Sequence, residues 1–278
     1  MNGIPHAAAN PVTEWWTTAI SDISPGIIRL RGYPIQQLIR HASFADTVWL
    51  LLRGELPDPR QSALLERALV AAVDHGPQAP SIAAARMAAT CGVGLNSAMA
   101  TGTGLLGDVH GGAGQQCMQL LTDIRDHLRA TGAPLTDTVA ETLAEIRAAG
   151  RYVPGFGHRF HPRDPRRDPL MQALTDGVNN GVVDGTVQQI GMEIERQLTA
   201  GRSRPVPMNI DGATAIIYSS LGFAPELGRG LFVLSRSVGI LAHAWEEKED
   251  GRRIKGPIPP PLLPAYHGTT ERSMPTRR

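Results

Sequence analysis

The chain has 278 residues, of which 42% are hydrophobic and 19% charged, and its formal net charge is +1. That length holds one large domain or two smaller ones with a sizeable core, and so balanced a charge argues against a nucleic-acid partner and makes any anion site local. No apolar run approaches the roughly 18 to 20 uncharged residues of a membrane span, and residues 1–11 show neither a basic nor an apolar leader region, so a cytoplasmic protein with no membrane contact is expected.

In chain order, Trp15-Trp16 is followed by turn residues and then the alternation Ile27-Ile28-Arg29-Leu30-Arg31, which predicts a small strand pair or an extended arm. From Ile35 the spacing becomes helical, first with Ile35, Leu38 and Ile39, then with Phe44, Val48, Leu51 and Leu52, until Gly54 and Pro57 stop it. Arg60 to Val73 is amphipathic, with Leu64, Leu65, Ala68, Leu69 and Ala72 on the buried side. Asp74-His75-Gly76-Pro77 closes that helix. His75 there either lines the mouth of a helical core or serves the helix C-terminus through the dipole. Ile82 to Thr90 is rich in alanine, and this helix and the next, Leu95 to Leu105, are expected to be central and buried.

Gly102-Thr103-Gly104-Leu105-Leu106-Gly107 matches the dinucleotide-binding pattern GxGxxG but lacks the preceding β-branched strand that a phosphate turn needs. The continuation Asp108-Val109-His110-Gly111-Gly112 is similar to an esterase oxyanion loop, yet the chain contains no GxSxG nucleophile. Helices over Gln115 to Arg129 and Leu135 to Ala149 come next, and later ones over Pro169 to Asn180 and Thr186 to Leu198. Asp211 stands where a helix over Ala213 to Leu221 begins, the ordinary place of an N-cap. In the longest helix, Arg229 to Glu247, Leu231, Leu234, Val238, Leu241, Ala242 and Trp245 share one period, and Arg236 within it must face an anion or a carboxylate. The chain ends in a Pro-rich tail that wraps a neighbour or frays. Cys91 and Cys117 lack CxxC spacing and are expected as small, reduced core residues.

The loop Val153-Pro154-Gly155-Phe156-Gly157-His158-Arg159-Phe160-His161-Pro162-Arg163-Asp164-Pro165-Arg166 is built for an anion. Glycines let backbone come close to a ligand, prolines keep the chain out of helix, and arginines fork onto carboxylate or phosphate beside histidines that titrate near neutrality. His158 and His161 form an HxxH pair without helical spacing or a third ligand, so no metal is expected.

Three separated segments together resemble the citrate synthase family, including its citryl-CoA lyase branch: Asp108-Val109-His110-Gly111-Gly112-Ala113-Gly114, the loop from Pro154 to Arg166, and Asn209-Ile210-Asp211-Gly212. The family's motifs look like PLHGGAN, GFGHR with a later DPR, and NVD, in that order, and flanking text from Arg31 to about Gly251 agrees. The resemblance implies an all-α, two-domain helical fold, a homodimer, with a large domain of residues 1–110 and 216–278 and a small coenzyme A-binding domain of residues 111–215. It implies a catalytic trio in which Asp211 exchanges a proton with the acetyl methyl group, His110 stabilises the enolate oxygen and His158 manages the proton on the ketone or carbinol oxygen.

His75, Arg166 and Arg236 would hold the carboxylates of oxaloacetate or a citryl group, and Arg159, Arg163, Gly155 and Gly157 would meet coenzyme A, the carrier of the acyl substrate. Two departures matter. The stretch from Pro57 to Asp74-His75 is much shorter than in a full-length synthase, as in citryl-CoA lyases, and Gly256-Pro257 stands where the family has an Arg-Pro that donates an arginine to the partner subunit. Either Arg252, Arg253 or Lys255 substitutes, or the substrate carries one carboxylate fewer. The implied activity is citryl-CoA cleavage, with citrate or 2-methylcitrate synthesis as the alternative and a non-catalytic acyl-CoA-binding homologue as a second one.

Overall fold

The structure is a computed structural model and describes residues 14–157, 162–203 and 205–275. A three-stranded antiparallel sheet, β1 (Ser21–Ser24), β2 (Ile27–Leu30) and β3 (Tyr33–Pro34), precedes the helices, one strand more than the expected pair. The helices are α1 (Ile35–His41), α2 (Phe44–Arg53), α3 (Pro59–Ala72), α4 (Pro80–Thr90), α5 (Leu95–Gly104), α6 (Ala113–Thr131), α7 (Leu135–Ala148), α8 (Arg167–Asn179), α9 (Thr186–Thr199), α10 (Ile210–Ser220) and α11 (Pro225–Glu249). The all-α expectation holds. None of the helices among the described residues is long and apolar enough to cross a membrane.

The chain separates into two compact units, one from Met1–Val73 with Gly111–Ser235 and one from Asp74–His110 with Arg236–Arg278. The first is organised around α10. Ile210 and every residue from Gly212 to Ser219 are buried, so this short helix is enclosed on all sides, as a helix apolar all round must be. Helices α3, α6, α8 and α9 pack around it. Leu65, Met118, Leu121, Leu174, Ile190, Ile194, Met208, Ile216 and Ile217 are fully buried there, each contributing about 1.5–3 kcal/mol of apolar burial.

Local chemistry sets where these helices start and stop. Ser43 and Asp46 form a reciprocal capping box at α2, whose C-cap is Gly54 in a left-handed conformation. Asp58 caps α3 with Pro59 at its first position. Arg53, at the end of α2, donates to the Gly222 carbonyl and lies 5.4 and 5.5 Å from the ring centres of Trp49 and Phe223, tying α2 to the turn after α10.

In the second unit α4 and α5 pack on one another, as alanine-rich helices do. The burial expected of them is only partial, however: α5 buries only Ala98 and Gly102. Small residues mark close helix approach without saying how much else covers the pair. The apolar stripe of α11 is likewise divided. Leu231 is buried, whereas Val238, Leu241 and Trp245 are 58, 39 and 49% exposed. Cys117 is buried as expected but Cys91 is exposed.

Candidate functional site

The site residues expected from the sequence fall into two groups, each within one compact unit. Asp211, Arg166, Arg163, Gly155 and Gly157 belong to the first; His75, His110 and Arg236 belong to the second. His158 and Arg159, with His161, lie outside the described residues.

Asp211 is the second residue of α10, not its cap. Asn209 is the cap, its side-chain oxygen accepting from the N–H groups of Asp211 at 3.0 Å and Gly212 at 3.2 Å. The Ile210 N–H donates to Asp164 Oδ2 at 3.1 Å. Three of the orphan donors of the first turn are thereby satisfied without the carboxylate of Asp211. That carboxylate sits in positive helix-end potential of α10 and near the start of α6, where a Cβ added to Gly114 would lie 3.9 Å from its Oδ1. Burial, with the negative charge of Asp211, pushes the Cys117 thiol well above its ordinary value, which places an inert thiol beside the carboxylate.

The loop reaches Asp211 through backbone. Phe156 pairs with Met208 in an isolated antiparallel bridge. Around it the Gly157 N–H donates to Pro207 O at 2.7 Å, the Asn209 N–H to Gly155 O at 3.0 Å, and the Asn209 side chain to Gly157 O at 2.8 Å. Gly155 adopts φ +83°, and a Cβ on it would lie 2.7 Å from Gly212 Cα and 2.8 Å from Cys117 Sγ; one on Gly212 would lie 2.3 Å from Gly155 O. Two glycines are therefore required where the loop crosses α10, and the close approach at Gly155 is to the protein's own backbone and thiol.

Arg166 takes the fork geometry anticipated for it, but on a residue of its own chain. Its Nε and Nη2 donate to Oδ1 and Oδ2 of Asp164 at 2.9 and 2.8 Å. Asp164 is fully buried, and this bidentate partner, the Arg166 N–H at 3.0 Å and the Ile210 N–H all help to make its charge tolerable. Asp164 was visible in the sequence only as part of the Asp-Pro-Arg motif; its task is to fasten Arg166 to the start of α10. Nearby, buried Arg167 pairs with Glu195, whose other oxygen accepts from Met208 N–H at 2.8 Å and so steadies the same bridge. Arg163 is exposed and donates to Asp168 at 2.6 Å. The other end of the loop, Arg151 to Pro154, edges a cleft of about 840 Å³ whose walls also carry Asp123, Glu141 and Glu145. That acidic lining suits a phosphate poorly.

In the second unit His110 is half-buried against the first turn of α4. The Ser81 N–H approaches His110 Nε2 at 3.2 Å and the Ser81 hydroxyl at 3.0 Å. A backbone N–H can only donate, so Nε2 accepts and the ring proton is on Nδ1. Burial, and then the charge of Arg236, lower the His110 pKa, keeping the imidazole neutral at pH 7. Arg236 is itself buried. His75 is exposed, beyond the end of α3 and on the turn that leads into α4. The arrangement supplies a neutral imidazole able to donate from Nδ1, and separately a carboxylate able to accept a proton at a helix start.

The family model described as "Citrate synthase, C-terminal domain" matches residues 11–63 and 57–257. The chain belongs to the citrate synthase family. It is 30% identical to citrate synthase of Haloferax volcanii over 206 residues, 74% of this chain and 52% of that one, and 26% identical to glyoxysomal citrate synthase of Cucurbita maxima over 80% of this chain and 43% of that one. It thus spans about half the length of these synthases. The solved structure of citryl-CoA lyase from Hydrogenobacter thermophilus, in contrast, matches with a TM-score of 0.80 and 30% identity over 94% of this chain and 97% of that one. In length and fold the chain is similar to this lyase.

Proposed function

We propose that this protein cleaves a citryl thioester, releasing acetyl-CoA and oxaloacetate. The observation that carries the reading is the likeness to citryl-CoA lyase, with a TM-score of 0.80 and 30% identity along nearly the whole of both chains, against a TM-score of 0.62 and 19% identity for citrate synthase of Thermotoga maritima over a similar share of both. The chemistry of the residues agrees with it.

In this reading His158 takes the proton of the citryl hydroxyl, and the bond between the carbinol carbon and the methylene carbon breaks to leave oxaloacetate and the enolate of acetyl-CoA. His110, neutral and protonated on Nδ1, donates a hydrogen bond to the enolate oxygen; an imidazolium would give the proton away instead of sharing it. Asp211, as the carboxylic acid, returns a proton to the enolate carbon to form the methyl group, and in the reverse direction it is the base that removes that proton. His75, Arg166 and Arg236 hold carboxylates, Arg166 keeping its fork on Asp164 and offering its remaining donor hydrogens. Coenzyme A would meet Arg159, Arg163 and the Gly155–Gly157 loop, and the small domain would be residues 111–215.

Incubation with citryl-CoA, followed by chromatography of the products, is expected to show acetyl-CoA and oxaloacetate in equal amounts. Absence of both would remove the lyase assignment. Release of free thiol from acetyl-CoA and oxaloacetate, with citrate accumulating, would move it to the synthase reading.

A further inference from the structure

On the turn that carries His75, the preceding residue is the organiser. The Asp74 carboxylate accepts from the Gly76 N–H at 3.1 Å, so the peptide group that follows the His75 α-carbon is drawn onto the anion. A second donor fixes the anion itself: His243 Nε2 lies 3.2 Å from Asp74 Oδ1. Burial pushes the Asp74 carboxyl up, and the Gly76 N–H and His243 outweigh it and leave it below its ordinary value.

His243, on α11, is in turn oriented from behind. Arg86 Nη1 is 2.7 Å from His243 Nδ1, and since a guanidinium only donates, Nδ1 accepts and the ring proton is on Nε2, aimed at Asp74. Arg86 is held by Glu246 at 2.6 Å and by the fully buried Glu247. Glu247 also takes Lys255 Nζ at 2.7 Å, while the backbone of Ile254 and Lys255 donates to Thr90 at 3.0 Å. The groups facing the His243 ring are thus Asp74, Arg86 and Glu246, and every one of them lies in the same compact unit as His75. Arg252 and Lys255, candidates for an arginine donated to a partner subunit, are both committed to Glu247 within the chain.

We propose that His243 is a positioning residue for the substrate-binding histidine: through Asp74 it locks the 74–76 turn so that His75 presents its ring to a carboxylate of the 2-oxo acid. The proposal rests on the reading of His75 as a substrate ligand. A hydrogen bond to a charged group is worth enough for its loss to raise a KM by about tenfold.

The test uses the whole protein in the condensation direction, with oxaloacetate varied. His243→Phe, which keeps a ring but neither nitrogen, is expected to raise the oxaloacetate KM about tenfold with little change in kcat. His243→Gln should restore it, because an amide can both donate to Asp74 and accept from Arg86. In the His75→Ala background His243→Phe should add nothing further. An unchanged KM in His243→Phe, no rescue by His243→Gln, or full additivity with His75→Ala would overturn the proposal. A wild-type KM in His75→Ala alone would instead remove His75 as a substrate ligand, and the positioning role with it. Should His243→Phe not fold, the 15N imidazole spectrum of the wild-type protein decides: the proposal requires the Nε2-protonated tautomer at His243, and an Nδ1-protonated ring contradicts it.

Discussion

Asp211 and His110 show how the surroundings of a side chain select its chemistry. An aspartate at a helix start ordinarily caps it, but Asn209 and Asp164 meet the first-turn donors here, so the position of Asp211 is not explained by capping. Replacing Asn209 with Ala should therefore cost stability, about 0.5–2 kcal/mol in denaturant unfolding, while Asp211→Asn should leave stability little changed and act on turnover. His110 makes a pH prediction. Its folded pKa is depressed, so the unfolded chain takes up the proton first as the pH falls; the stability this group contributes is intact above about 6.5 and is lost as the pH drops from there to the depressed value. The rate should fall over the same acid limb, because the imidazolium cannot serve as the neutral donor. Ser81→Pro, which removes the N–H that fixes the ring tautomer, should lower kcat without shifting the oxaloacetate KM; an unchanged kcat would break this link. The sequence motifs singled out His110 and Asp211 as candidates. They were silent on Ser81, because a backbone N–H has no residue signature, and on Asp164 as the partner that holds Arg166.

Among the elements, α10 and the Gly155 loop form one mechanical piece. The loop crosses the helix with Gly155 against Gly212 and is sewn to residues 207–209 by backbone hydrogen bonds. Gly155→Ala should destabilise the protein by about 1–3 kcal/mol through overpacking and a strained positive φ, read as a lower denaturation midpoint. Ile216→Ala, which empties the centre of the same helix, should cost about 2–5 kcal/mol; a smaller loss at Ile216 than at an exposed position such as Ile39 would contradict the central placement of α10. Helical periodicity located nearly every helix, including α9, where Ile190, Ile194 and Leu198 are buried as spaced. What periodicity could not reveal is which helix sits in the middle. The alanine-rich α4 and its neighbour α5 were expected to be buried, yet α5 buries only two residues while α10 is enclosed within its unit, because enclosure depends on how many neighbours cover a helix and not on its own pattern alone.

At the scale of the molecule, the family and the short form determine what can be asked. The two compact units are cut at Val73/Asp74, His110/Gly111 and Ser235/Arg236, so they regroup the segments of the large and small domains expected from the resemblance, which remain a proposal about the working enzyme. The exposed stripe of Val238, Leu241 and Trp245 on α11 supports the proposed homodimer; sedimentation equilibrium is expected to give twice the 29.8 kDa chain mass, and a monomer at working concentration would contradict it. The central claim is that a carbon-carbon bond of an acyl-CoA is broken with Asp211 as the proton donor. Its most direct test is the rate of acetyl-CoA formation from citryl-CoA by the wild-type protein and by Asp211→Ala, measured side by side. The account predicts release of acetyl-CoA by the wild type and a rate lower by about a thousandfold in the variant; equal rates, or no acetyl-CoA from either, would contradict it.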